Sequence, residues 1–137
     1  MTQELRGNIK PVEFIPVEEL GDGTKNGSAV DTYESDSQGF HFDSAYIRVG
    51  VGDATNVAGD KVQVKVEESD DESNWSVAPG GTEVDVTQET QTYFEIKRSK
   101  RYLRVVVTVD EEGGTGAVAV YATGLLTNWS VPMPIIS

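Results

Sequence analysis

The most constraining feature of the chain is a strict two-residue rhythm of β-branched side chains. Val62, Val64 and Val66 alternate with Lys61, Gln63 and Lys65, which predicts a strand with one apolar and one wet face. Over 44–51 the same rhythm sets Ala45, Ile47, Val49 and Val51 against Tyr46, Arg48 and Gly50. Thr92, Phe94 and Ile96 share a face over 91–97, as do Leu103, Val105, Val107 and Val109 over 101–109. Residues 116–126 are richer in small side chains, with Val118 and Val120 opposite Ala117, Ala119 and Tyr121, which predicts a strand covered on both sides. Shorter strands are expected over 12–17, 27–33 and 83–87. Nineteen valines and twelve threonines against five leucines suit a pleated surface better than a helix. Only 16–20 admits a single helical turn.

Glycine-rich turns punctuate these segments: Gly21-Asp22-Gly23, Gly52-Asp53, Gly59-Asp60, Pro79-Gly80-Gly81 and Gly113-Gly114. Segments 91–97 and 101–109, separated by a short basic turn, read as a hairpin. Many short strands with no crossover helices predict an all-β fold, an antiparallel β-sandwich or jelly roll of about eight strands. A chain of 137 residues without cysteine is expected to form one domain held by its apolar core. Residues 1–11 are polar and unpatterned and read as an N-terminal arm, 12–126 as the β-sandwich domain, and 127–137 as a C-terminal tail. In that tail Pro132 and Pro134 forbid a central strand, while Trp129, Val131, Met133, Ile135 and Ile136 are apolar. So apolar a tail invites association.

Acidic residues outnumber basic ones by 23 to 11, a formal charge of −12 that argues against nucleic acid as a partner. No stretch approaches the apolar length that spans a bilayer, and residues 1–10 have no apolar core of the signal-peptide kind. These features predict a chain that finishes folding in a cytoplasm and has no membrane partner.

Catalytic chemistry finds little to work with. Cysteine is absent, and the one histidine, His41, sits between Phe40 and Phe42, where a structural role outweighs a catalytic one. Ligands for a histidine or thiolate zinc site are missing. The acidic run Glu67-Glu68-Ser69-Asp70-Asp71-Glu72 offers oxygens to calcium but lacks the EF-hand order, so a solvated strand end is the better reading. Residues 69–75 resemble an Asp-box turn in which Glu72 stands where glycine is expected, and Trp75 reads as a core or inter-sheet aromatic. No enzyme activity, cofactor or metal is expected. In the basic segment Lys97-Arg98-Ser99-Lys100-Arg101 few aromatics interleave for base stacking. It is expected to be a solvated turn, or else a contact for an acidic protein surface.

Val66-Glu67-Glu68-Ser69-Asp70-Asp71 with Trp75, the segment Ser99-Lys100-Arg101-Tyr102-Leu103-Arg104-Val105-Val106-Val107-Thr108-Val109, and Gly116-Ala117-Val118-Ala119-Val120 together carry a resemblance. Pro16-Val17 and Asn26-Gly27-Ser28-Ala29-Val30-Asp31-Thr32 add to it. In order and spacing, over 12–126, they resemble the small β-sandwich proteins among the head genes of tailed bacteriophages, of the capsid decoration or cement type. Glu72 departs from the glycine expected after the paired aspartates, which puts the shape of that turn in question.

The resemblance implies a structural virion protein on the outer capsid surface. It would bind the major capsid protein, bridge neighbouring subunits and form a homo-oligomer, a trimer in the first instance. The contacts are expected from Glu4, Leu5, Arg6, Ile9 and Pro11 of the arm and from Arg98, Lys100 and Arg101. Trp129, Val131, Pro132, Met133, Pro134, Ile135 and Ile136 of the tail complete the set. The competing readings are a head-completion or tail-tube component and a carbohydrate-binding β-sandwich module.

Overall fold

A computed structural model describes residues 9–35, 40–52, 61–86, 90–110 and 117–130. Every regular element among them is a strand: β1 (Ile9–Leu20), β2 (Gly23–Asn26), β3 (Val30–Asp31), β4 (Tyr33–Ser35), β5 (Phe40–Val51), β6 (Lys61–Ser69), β7 (Ser76–Val77), β8 (Val84–Val86), β9 (Thr90–Lys97), β10 (Tyr102–Asp110) and β11 (Val118–Ser130).

These form two antiparallel sheets. The first runs β1-β11-β5, with β9 and β4 sharing the far edge of β5. The second runs β10-β6, with β2 and β3 along the outer edge of β10 and β8 and β7 along that of β6. The pairings nest, β1 with β11, β2 with β10, β5 with β9 and β6 with β8. A long antiparallel ribbon wrapped in this way is a jelly roll. The segments beyond the expected eight are pieces only two to four residues long, such as β3, β4 and β7, that share an edge with a neighbour.

The alternation read from the sequence supplies the core. Val62, Val64 and Val66 of β6 and Leu103, Val105, Val107 and Val109 of β10 are buried from one sheet. Ala45, Ile47, Val49 and Val51 of β5, Phe94 and Ile96 of β9, and Val118 and Val120 of β11 are buried from the other. Phe14 and Ile15 are adjacent yet both buried, because Glu13 pairs with Thr123 and Ile15 already with Ala122. Phe14 is thus the extra residue of a β-bulge, which turns two consecutive side chains inward.

Four local expectations are corrected. Segments 91–97 and 101–109 are not a hairpin: β9 pairs with β5 and β10 with β6, in opposite sheets. Each strand turns one apolar face to the core, and the crossover through 98–101 lets the two faces meet across it instead of lying side by side. Residues 16–20 are strand and not a helical turn; Pro16 is accommodated because β1 is an edge strand with a second register shift between Ile15 and Glu18. β11 is covered on one side only, since Ala119 and Leu125 are exposed. Residues 27–33 do not make one strand. The chain leaves β10 after β2, Thr32 spends both its amide and hydroxyl on the Arg101 carbonyl (3.0 and 2.6 Å), and β3 and β4 flank it in different sheets.

Strand pairing also reaches into the expected arm and tail. Ile9, Lys10 and Pro11 pair with Thr127, Leu126 and Leu125, and Trp129 and Ser130 pair with Phe42 and His41. Glu4, Leu5, Arg6, Val131, Pro132, Met133, Pro134, Ile135 and Ile136 lie outside the described residues, as do the turns Gly59-Asp60 and Gly113-Gly114.

Candidate functional site

The register of the first sheet gathers the segments singled out in the sequence at one end of the sandwich. Ile9 pairs with Thr127, Thr127 with Ser44, and Ser44 with Lys97, so one row of residues crosses β1, β11, β5 and β9. Lys97 begins the basic segment, and the amide of the next residue, Arg98, donates to the Asp43 carbonyl (2.7 Å). The start of β1 at Ile9 and Thr127 near the end of β11 are therefore neighbours at the end of the sheet where β9 runs into the basic segment. Ile9 is 62% exposed at this end. The Arg98 Nε and the Thr127 Oγ1 are buried there without a hydrogen-bond partner among the described residues.

The basic segment is a solvated turn only in part: Lys97 and Ser99 are exposed, while Arg98, Lys100 and Arg101 are half-buried. Arg101 donates through Nε and Nη2 to the two Asp31 oxygens (2.8 and 2.7 Å), and its guanidinium lies 4.5 Å from the Tyr33 ring centroid. Burial disfavours the Asp31 carboxylate, but the Arg101 hydrogen bonds and the Tyr33 amide outweigh it and hold its pKa below the ordinary 3.8. Arg98 stands over the same ring at 5.6 Å, and His41 stacks against it with its Nε2 3.0 Å from Asp43 Oδ1. Arg101 is thereby committed within the domain.

The acidic run is equally occupied. Glu67 accepts from Arg104 Nη2 (2.7 Å) with Lys65 Nζ at 3.2 Å. Burial works against its ionisation, yet these cations keep its pKa below the ordinary 4.5. Glu68 accepts the Ser99 hydroxyl, and Asp70 accepts the Arg101 amide. Asp71 accepts the amides of Asn74 (2.8 Å) and Ser73 (2.9 Å), then the Asn74 side chain and the Ser69 hydroxyl, and is driven far below the ordinary carboxylate range. The turn keeps its glycine-like shape, with Glu72 at φ 61°. Trp75 is not a core residue; it is half-buried beneath Arg104, 4.2 Å from ring centroid to guanidinium.

A second surface went unassigned in the sequence: the outward face of the β1-β11-β5-β9 sheet. The register there places Pro11, Leu125, Tyr46 and Glu95 in one row and Glu13, Thr123, Arg48 and Tyr93 in the next. Together they line a groove of about 1070 Å³. Tyr93 is 68% and Tyr46 49% exposed. Tyr46 donates its hydroxyl to Glu95 (2.9 Å), Tyr93 to Gln91 (2.8 Å), and Gln91 Nε2 donates to the Tyr121 oxygen (3.0 Å). The Glu95 carboxylate raises the Tyr46 pKa above the ordinary 10.0. Alternation had put Tyr46 on an outward face, but the convergence of three tyrosines depends on a register that joins strands distant in sequence.

No protein-family model matches the chain, and no curated protein matches it in sequence. Solved structures are similar in fold. A chain of the Triatoma virus structure aligns with a TM-score of 0.57 at 8% identity, over 98% of this chain and 75% of that one. The CBM36-1 domain of a multidomain xylanase from the hindgut metagenome of Trinervitermes trinervoides gives 0.43 at 8% identity, over 88% and 98%. The CBM22-1-GH10 modules of Clostridium thermocellum xylanase 10B give 0.41 at 15% identity, over 92% and 28%. At these identities the likeness is one of fold, and of these three only the virus chain reaches a TM-score above 0.5. The chain is a jelly-roll β-sandwich similar in architecture to a chain from a virus structure.

Proposed function

We propose that the protein is a structural virion component that decorates the outside of a tailed-phage capsid and bridges neighbouring capsid subunits as a homo-oligomer, a trimer first. The observation that carries this reading is the pairing of Ile9 with Thr127, which sets the roots of the polar arm and the apolar tail side by side. A single end of the sandwich then acts as the attachment surface, and segments that order on binding can cover a large area of partner. Jelly-roll architecture shared with a virus chain supports the reading, as does a charge of −12, which favours the outer face of a shell over its DNA-filled lumen.

Many copies on a lattice make modest individual contacts sufficient through avidity. The function requires no catalysis and no cofactor. Its test is co-sedimentation of purified protein with expanded, undecorated phage shells. The full chain is expected to pellet with the shells, and a chain lacking residues 131–137, which leaves all of β11 in place, is expected to stay in the supernatant. Equal attachment of both forms, or attachment of neither, overturns the proposal.

A further inference from the structure

We infer that the outward face of the β1-β11-β5-β9 sheet is a binding site for a neutral polysaccharide. The inference stands apart from capsid attachment, because it uses a different surface from the end where arm and tail emerge.

A sugar ring presents an apolar C–H face and a rim of hydroxyls, so a site for it needs fixed aromatic faces edged with planar hydrogen-bonding groups. Tyr46 and Tyr93 provide the first. They lie on adjacent strands one row apart, and each is exposed although its hydroxyl is tied down, to Glu95 and to Gln91. Rings held in this way lose little freedom when a ligand stacks on them. Glu95, Gln91 and Arg48 provide the second, being planar groups able to engage neighbouring hydroxyls in pairs.

The carboxylates in the groove argue against a protein partner. The core of a protein interface favours Tyr and Arg but is depleted of Glu, and here Glu13 and Glu95 line the groove among its tyrosines. Arg48, the next residue on that face of β5 after Tyr46, sits directly opposite Tyr93 across the strand pair. Charge also selects among glycans. The groove carries the carboxylates of Glu13 and Glu95 against one guanidinium, within a molecule of formal charge −12, so an acidic polysaccharide would be repelled. A groove of about 1070 Å³ lies at the upper end of small-ligand sites and has room for several consecutive sugar units.

Affinity electrophoresis in native gels containing dextran, xylan, galactomannan or hydroxyethyl-cellulose tests the site, with polygalacturonate as the acidic comparison. At least one neutral polymer is expected to retard the protein. Tyr93→Ala and Tyr46→Ala, both at exposed positions, are expected to weaken that retardation at least about tenfold. Trp75→Ala, on the other sheet, is expected to leave it unchanged. Circular dichroism checks that each variant is folded. Retardation by none of the neutral polymers, retardation by polygalacturonate alone, or retardation unchanged in both folded tyrosine variants overturns the inference. Shell co-sedimentation of the same tyrosine variants is expected to match the unmodified protein, so failure of this site and failure of capsid attachment are read separately.

Discussion

Tyr121 fills the space above Gly50 in which a side chain would otherwise stand: the two are cross-strand partners, and a Cβ built on Gly50 would overlap the ring. Glycine is thus required on β5 to seat the phenol, and the seated phenol shields a stretch of bare backbone, a device known to restore the stability that a strand glycine forfeits. Gly50→Ala is expected to cost about 1–3 kcal/mol by displacing the ring. Combined with Tyr121→Ala, which removes the obstacle, the two losses should fall short of additive by about 0.5 kcal/mol or more in urea unfolding. Strict additivity would show that the ring does not depend on Gly50.

Glu72 adopts a left-handed φ of 61° in the turn that Asp71 organises. A residue with a Cβ is strained there by about 1 kcal/mol or more, and glycine is not. Glu72→Gly should raise the urea midpoint, by an amount reduced by the added freedom of the unfolded chain. A lowered midpoint would mean that the glutamate side chain contributes something the turn geometry does not explain.

Acid should weaken the fold through two carboxylates held by arginines. Asp31 and Glu67 have folded-state pKa values below their ordinary 3.8 and 4.5. The unfolded state therefore takes up protons first as pH falls, so their contribution is complete above about 4.5 and is lost below it. Stability measured by urea is expected to be level from neutral pH to about 5 and to decline further down. The double variant Asp31→Asn, Glu67→Gln should be less stable at neutral pH and show a shallower decline. An unchanged acid limb in that variant would assign the effect to other groups.

Ile15 and Val17 lie two residues apart on the same edge strand, where plain alternation would bury both, but the register shift between Ile15 and Glu18 leaves Val17 78% exposed while Ile15 is fully buried. Ile15→Ala should cost about 2–5 kcal/mol, whereas Val17→Thr should stay within about 0.5 kcal/mol of the unmodified chain. Thermal unfolding distinguishes these outcomes, and similar losses at both positions would contradict the register shift.

Alternation was enough to read the inward residues of β5, β6, β9 and β10, because a period of two assigns a face without reference to any partner. It does not say which sheet a strand joins. Residues 91–97 and 101–109 look like a hairpin in sequence, and what separates them is long-range: Arg101 reaches Asp31 seventy positions away, and Thr32 holds the Arg101 carbonyl. The same limit hid the tyrosine face, since Tyr46, Tyr93 and Tyr121 come from three strands brought together only by pairing. The bulge was invisible because Phe14 and Ile15 are both apolar, and alternation alone does not say which of the two faces inward. The positive φ of Glu72 was foreshadowed, as a glutamate in a place that called for glycine.

The central claim, that this chain coats a capsid from outside, is tested most directly by imaging phage particles assembled with and without it. Addition of the protein should produce discrete extra density on the outer surface at many symmetry-related positions, with the end bearing Ile9 and Thr127 turned toward the shell. Identical maps, or density confined to a single vertex or to the interior, would contradict the account.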